Sequence, residues 1–194
     1  VMAAATVTFA LPKRGHFLYP GSDYAGRLQI IDISIPAEAV SKEAIYLSLL
    51  TENDMQGIVP SRQSNTHKGT NGHALIIAGS IGKGGAAAMT AFSCLRTGAG
   101  LVTLAVPESV QPVIAGKLTE VMTQPLAETD EQTIAATAAE AIIALSRDKE
   151  VVAIGPGLTT NKETASVVKR VIRETGIPVV IDADAINCIS QHKE

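Results

Sequence analysis

Clusters of glycine and of acidic residues follow three segments that have the composition of buried β-strands. The clusters are residues 79–86 (GSIGKGGA), residues 155–157 (GPG) and residues 182–184 (DAD). Glycine at the end of a strand lets the backbone approach a ligand closely, and the free amides at the start of the next helix attract phosphate. These positions therefore predict a nucleotide or phosphate site.

The spacing within the clusters leaves several kinds of site open. The first cluster lacks the four-residue gap of a Walker A loop, but Gly82, Gly84 and Ala87 match a relaxed G-x-G-x-x-A. A plain tight turn is the alternative for both glycine clusters. Asp182 and Asp184 could hold Mg²⁺ or order a sugar hydroxyl. The alternative there is that Asp184 caps a helix.

Other polar residues are weaker candidates. His67 and Lys68, which precede the first of these strands, could meet an anionic ligand, and a polar loop is the equal alternative. Glu120 follows a predicted helix and is expected to be solvated. The sequence contains no nucleophile-elbow motif, no H-E-x-x-H and no paired-cysteine motif, so hydrolase and zinc-enzyme functions have no support.

The composition favours an α/β protein of the cytoplasm. Of the 194 residues, 46% are hydrophobic and only 3% aromatic, so the core must be built from Ala, Val, Ile and Leu. A net charge of −3 argues against a nucleic-acid binder. No apolar stretch is long enough to predict a membrane span. Cys94 and Cys188 match no metal spacing and predict buried free thiols, as in a reducing cytoplasm.

The elements that must position the clusters are read from periodicity. Two strands are predicted near the start, followed by a polar segment (37–66) that predicts a linker with one short helix or strand and a domain boundary between about 40 and 64. Beyond it, strands alternate with helices, which predicts a mainly parallel sheet with ligands at the carboxyl ends of its strands. The predicted strands are 5–11, 24–33, 73–79, 101–106, 150–154 and 177–181, and the predicted helices are 85–97, 108–117, 131–146 and 161–174, the last with Asn161 as its N-cap.

Taken in order, the motifs resemble the ADP/ATP-dependent NAD(P)H-hydrate dehydratase family, which has a ribokinase-like fold. The resemblance runs from about residue 65 to the end of the sequence. The motifs that carry it are H-K-G-x-x-G (67–72), G-S (79–80), G-A (85–86), G-A-G-L-V (98–102), E-V-M (120–122), G-P-G-L (155–158), D-A-D (182–184) and Asn187.

The start of the sequence is similar to the last strands of the Rossmann-like NAD(P)H-hydrate epimerase domain, which precedes the dehydratase in many organisms. The similar residues are A-T-V-T-F (5–9), P-K (12–13), Y-P-G (19–21), Gly26 and D-I-S-I-P (32–36). The two resemblances imply three regions. Residues 1–40 would be the end of an epimerase domain, residues 41–64 a linker, and residues 65–194 the N-terminal part of a dehydratase domain.

The resemblance implies repair of hydrated NADH and NADPH (NADHX and NADPHX). The epimerase would interconvert the R and S hydrates. The dehydratase would remove water from the S hydrate, coupled to hydrolysis of ADP or ATP with Mg²⁺. The epimerase domain would use K⁺, and the full-length protein is expected to be a homo-oligomer.

The resemblance also implies which residues meet the substrate. Ala86 and Gly157 would contact the hydrate, and Gly79, Ser80 and Gly85 would shape the pocket. The family's catalytic base corresponds to a position beyond Glu194, so residues 1–194 alone are expected to be inactive, as a piece of a longer chain. Five further residues match signature positions without an individual role: His67, Lys68, Asp182, Asp184 and Asn187.

Three other functions remain open at this point. A Rossmann-type NAD(P)-dependent dehydrogenase would share the G-x-G-x-x-A turn, with Glu108 near the position of a ribose-binding acid. A ribokinase-like small-molecule kinase would share the whole fold. A non-enzymatic binding module is the third alternative.

Overall fold

A computed structural model describes residues 1–56, 58 and 64–191 of the chain. The chain divides into two compact units, residues 1–61 and residues 62–194. The division lies within the polar segment in which the sequence predicts a domain boundary. No helix of the described residues combines the length and the apolar character needed to cross a membrane.

The first unit is built on two parallel strands, β1 (Ala5–Phe9) and β2 (Arg27–Ile31). Both predicted strands are confirmed but are shorter, because Ala10 turns to a φ of +61° after β1 and Gly26 to +58° before β2. A single 3₁₀ turn (Arg14–His16) and a short helix, α1 (Gly21–Ala25), connect them. Two more short helices follow, α2 (Ala37–Ser41) and α3 (Glu52–Met55).

The second unit is a five-stranded sheet in which all neighbouring strands run parallel. Its strands lie in the order β5-β4-β3-β6-β7. The α/β prediction with a mainly parallel sheet is confirmed. The strands are β3 (His73–Ile77), β4 (Leu101–Pro107), β5 (Met122–Leu126), β6 (Val151–Ile154) and β7 (Val179–Ile181). The helices are α4 (Gly84–Thr97), α5 (Gln111–Ala115), α6 (Ala139–Ser146), α7 (Lys162–Glu174) and α8 (Ala183–Gln191).

Helices cover both faces of this sheet, which is why β3 is apolar on both sides. Leu75 and Ile77 pack in the cluster that contains apolar side chains of α6, α7 and α8. Ile76 packs in a second cluster with the small side chains of α4 and with Ile114 of α5. The N-cap predicted for α7 is confirmed, since the Asn161 side chain accepts a hydrogen bond of 2.9 Å from the Glu163 amide.

Three sequence predictions differ from the structure. Strand β5 was not predicted, because Pro125 and the polar residues before it resemble a loop, although an edge strand tolerates proline. The predicted helix 131–146 is wrong in its first half. Residues 129–133 instead form a turn in which the Thr129 amide donates to the Thr133 carbonyl at 2.9 Å, and α6 begins only at Ala139. The predicted helix 108–117 shortens to α5.

We expect two glycine substitutions to have opposite effects on stability. A Cβ at Gly155 would lie 1.8 Å from the Asp182 carbonyl oxygen, and φ there is +139°. Gly155→Ala should therefore lower the free energy of unfolding by about 3 kcal/mol or more. Gly85→Ala is the matched control, since its Cβ meets no atom within 4 Å and alanine favours the first turn of α4 by up to about 1 kcal/mol. Urea denaturation of the complete polypeptide measures both, and equal stabilities would contradict the steric argument.

Candidate functional site

The strand order creates a crevice at the carboxyl edge of the sheet. From β3 the chain moves to β4 and β5 on one side, and then crosses to β6 and β7 on the other. The connections after β3 and β6 therefore leave the edge in opposite directions, and ligands of open α/β sheets bind at such a point. The two predicted glycine clusters directly follow these two strands.

Hydrogen bonds join the two connections across the crevice. The Gly79 amide donates to the Pro156 carbonyl at 2.8 Å, and the Ser80 hydroxyl donates to the Gly157 carbonyl at 2.7 Å. Ser80 is fully buried. The buried hydroxyl of Ser80 therefore links the connection after β3 to the connection after β6.

Ala86 and Gly157, which the sequence predicts to contact one ligand, lie beside each other. A Cβ at Gly157 would lie 3.1 Å from the Ala86 Cβ and 3.1 Å from the Lys83 carbonyl oxygen, and the φ of Gly157 is +71°. Glycine is thus required there both by conformation and by space. Gly79 is similar, with a φ of +84° and a Cβ position 3.0 Å from the Ala87 Cβ.

The start of α4 is open to solvent. Gly85 is exposed, and a Cβ there would meet no atom within 4 Å. A pocket of about 260 Å³ continues from this point between α4 and α5. Besides the glycine cluster, this pocket is lined by Ser109, Val110, Val113, Ile114 and Lys117.

The two carboxylates of the acidic cluster have different surroundings. Asp184 accepts hydrogen bonds from the Thr159 amide (2.8 Å) and from the Asn187 side chain (3.2 Å), and it forms an ion pair with Lys83 (3.3 Å). Asp182 is exposed. The capping alternative for Asp184 is wrong, because Asp184 lies inside the first turn of α8 and binds the amide of another segment.

The Asp184 carboxyl is stabilised in its ionised form. Burial alone would raise its pKa. The hydrogen bonds from Thr159, Asn187 and Lys83, together with the positive charge of Lys83, outweigh burial and hold the pKa of Asp184 below its ordinary value. Asp184 therefore keeps a negative charge beside the crevice at neutral pH.

The described part of the chain shows no ready-made cluster of metal-ligating side chains. It contains no group of three or more histidine, cysteine, aspartate or glutamate side chains placed to hold a metal ion. Asp184 is also committed to three donors.

His67 and Lys68 lie at the other edge of the sheet. His67 precedes the 3₁₀ turn Lys68–Asn71, which leads into the amino end of β3. The Lys68 carbonyl oxygen lies against Gly100, just before β4, where a Cβ would be 1.7 Å from it. Both side chains belong to exposed residues. The structure therefore does not bring these two residues to the crevice.

Two residues of the crevice were missed by the sequence argument. Lys83 lies within the first glycine cluster, and Thr159 follows the second. The position of Lys83 between two glycines was a usable signal, because a helix start flanked by glycines exposes its one long side chain. Thr159 contributes its backbone amide, for which the sequence holds no signal.

The arrangement is suited to binding. The crevice offers small side chains and the amides at the start of α4, beside the ion pair of Lys83 with Asp184. These groups can admit a flat ring closely and attract phosphate.

The comparisons with known proteins agree with this geometry. Residues 74–194 match the model of the NAD(P)H-hydrate dehydratase family. The chain is 40% identical over 190 residues to the bifunctional NAD(P)H-hydrate repair enzyme of Moorella thermoacetica. That alignment covers 98% of this chain and 36% of the relative, so the chain spans about a third of the relative's length.

Two solved structures resemble the fold. A ribokinase-like superfamily protein from Enterococcus faecalis superimposes with a TM-score of 0.63 at 22% identity, over 78% of this chain and 52% of that one. The ADP/ATP-dependent NAD(P)H-hydrate dehydratase of Bacillus subtilis, co-crystallised with ATP and Mg²⁺, gives a TM-score of 0.56 at 28% identity. It matches over 73% of this chain and 48% of its own.

The match to the family model distinguishes the dehydratase prediction from the Rossmann alternative. The sheet order alone does not distinguish them, because a Rossmann domain also places its first strand between the second and the fourth. The family model decides, since it covers β4 through β7 and all three clusters at the carboxyl edge. The ribokinase-like fold is confirmed, and the chain belongs to the NAD(P)H-hydrate dehydratase family.

Proposed function

We propose that this chain binds the substrate of a dehydratase that removes water from hydrated NADH and NADPH in a reaction coupled to ADP or ATP. The observation that carries the proposal is that Ala86 and Gly157 lie side by side in a family member, where a Cβ on Gly157 would be 3.1 Å from the Ala86 Cβ. These are the two residues that the resemblance places on the hydrate. They lie 71 positions apart in sequence, and the fold brings them face to face.

The chemistry of the crevice fits a dinucleotide hydrate. The modified nicotinamide ring must lie close to the protein, and Ala86 and Gly157 present only a methyl group and backbone to it. The pyrophosphate carries negative charge, which the open amides at the start of α4 would attract. In the proposed reaction the nucleotide supplies a phosphoryl group that turns the ring hydroxyl into a good leaving group, and elimination then restores the reduced nicotinamide.

The nucleotide dependence is tested on the complete polypeptide. Incubation with hydrated NADPH should restore the absorbance of reduced nicotinamide only when ADP or ATP is present. Omission of the nucleotide is the control. Phosphoryl transfer to another small molecule without recovery of NADPH would move the function to a ribokinase-like kinase. Hydride transfer to a substrate would favour the dehydrogenase alternative.

Enlarging Ala86 should block the crevice. Leucine at this position would add three carbon atoms where Gly157 already lies in contact, so Ala86→Leu should weaken binding of the hydrate by roughly tenfold or more. Ala141→Leu is the matched control, because Ala141 is exposed on α6. Isothermal titration with the hydrate measures both variants. Unchanged affinity of Ala86→Leu would remove Ala86 from the substrate site.

We also propose that residues 1–40 form the end of an epimerase domain, as the alignment with the bifunctional repair enzyme supports. Residues 41–64 would then be the linker, and residues 65–194 the N-terminal part of the dehydratase domain.

The epimerase would bind K⁺. Conversion of the R to the S hydrate by the complete polypeptide should therefore slow when K⁺ is replaced by choline, while dehydration of the S hydrate should not. Equal rates in both salts would contradict the K⁺ assignment.

Self-association and a cytoplasmic location complete the proposal. Met89 and Phe92 of α4 are exposed, as they would be on a surface that pairs with another copy. Cys94 and Cys188 are both free, which suits a reducing compartment. Sedimentation of the complete polypeptide as a monomer at micromolar concentration would exclude the oligomer.

A further inference from the structure

Asp184 is the point at which three segments around the crevice meet. One carboxylate oxygen, Oδ2, accepts the Thr159 amide at 2.8 Å and lies 3.3 Å from the Lys83 Nζ. The other, Oδ1, accepts the Asn187 side chain at 3.2 Å. Thr159 belongs to the connection after β6, Lys83 to the connection after β3, and Asp184 with Asn187 to α8. A single side chain thus joins both walls of the crevice to one helix.

The contact with Thr159 holds a strained backbone. Thr159 has a φ of +69°, in the left-handed region that β-branched residues avoid. Such a conformation persists only where its surroundings hold it. Thr159, two residues after Gly157, is held by the bond from its amide to Asp184, by the Cys188 thiol at its carbonyl (3.5 Å) and by the Asn161 amide at its hydroxyl (3.4 Å). The bond to Asp184 is the shortest of the three. Asp184 therefore fixes the path of the chain that carries Gly157 into the crevice.

The contact with Lys83 holds the opposite wall. Lys83 is the N-cap residue of α4, and its Cβ and carbonyl oxygen both lie 3.1 Å from the Cβ position of Gly157. The Lys83 side chain is about half exposed (48%), whereas that of Asp184 is only 21% exposed. The ion pair thus crosses the mouth of the crevice beside Gly157, with its anion sheltered and its cation facing solvent.

We propose that Asp184 is a positioning residue, which sets the distance between Gly157 and Ala86 through Thr159 and Lys83 without touching the substrate. This proposal rests on the proposed function, because it takes the crevice to be the hydrate site. Asp184 matches a signature position of the family, and the proposal gives this position an individual role. The Asp184 carboxylate already accepts from three donors. Because the side chain is also little exposed, it is poorly placed to reach a ligand.

The kinetic test uses variants of the complete polypeptide. Asp184→Ala removes all three contacts, Asp184→Asn keeps an acceptor for Thr159 but loses the charge, and Lys83→Met removes only the ion pair. Glu174→Gln is the matched control, because it neutralises the carboxylate of the ion pair with Arg170 on α7. We expect the KM for the hydrate to rise about tenfold in Asp184→Ala and less in the other two, with little change in kcat or in the KM for the nucleotide.

Coupling between the two side chains is part of the expected result. If Asp184 and Lys83 act through one ion pair, the double variant Asp184→Asn/Lys83→Met should have the same KM as Asp184→Asn alone. Effects that multiply would overturn the proposal. A large loss of kcat in Asp184→Asn with an unchanged KM would also overturn it, since that pattern marks a group that touches the reacting atoms. If Asp184→Ala does not fold, the two milder variants and their double variant still decide.

Hydrogen exchange separates this proposal from the proposed function. The Thr159 amide should exchange at least about tenfold faster in Asp184→Ala than in the wild type, and Glu174→Gln should match the wild type. Unchanged protection of Thr159 would overturn the positioning role whatever the activity. If the wild type shows no nucleotide-dependent dehydration but Thr159 loses protection in Asp184→Ala, the positioning role stands and the proposed function fails.

Discussion

A hydrogen bond from the Gly79 amide to the Pro156 carbonyl holds together the two connections that leave the sheet in opposite directions. Strands β3 and β6 are neighbours, but the chain leaves β3 towards β4 and leaves β6 in the opposite direction, towards β7. Without a link, the turns after them would separate. Because Gly79 and Gly157 both have positive φ, the turns can approach closely enough for Ser80 to reach the Gly157 carbonyl as well. These two bonds keep the connection that carries Gly157 beside the connection that leads into α4.

The sequence predicted those parts of the fold whose signal is local. Strand β3 is a continuous apolar run, and α7 has a capping asparagine and a regular apolar stripe, so both appear close to their predicted limits. Strand β5 has neither signal, since its edge position tolerates proline and polar side chains. The helix predicted at 131–146 was extended too far, because the run of alanine and isoleucine carries no sign of the threonine turn that precedes α6.

The candidate site was predicted by residue type and not by position in space. The glycine clusters and Asp184 lie at the carboxyl edge, because each follows a parallel strand. His67 and Lys68 precede β3, so their place at the opposite edge could have been read from the direction of that strand. The pairing of Lys83 with Asp184 could not, since nothing in a single sequence relates two residues on separate connections. The G-x-G-x-x-A spacing was equally uninformative about function, because any close strand-to-helix turn needs the same small residues.

The sequence distance across the crevice has a consequence for how the protein is made. Ser80 and Gly157 are 77 positions apart, and Lys83 and Asp184 are 101 apart. A ribosome synthesises about 5 to 20 residues each second. The connection after β3 is therefore made several seconds before the segments that pack against it in the crevice. During that interval the carboxyl edge of β3 lacks β6, and the glycine turn after it has no neighbour to fix it. The crevice is thus among the last features of this unit to form during synthesis, whereas the pairing of β3 with β4 is possible much earlier.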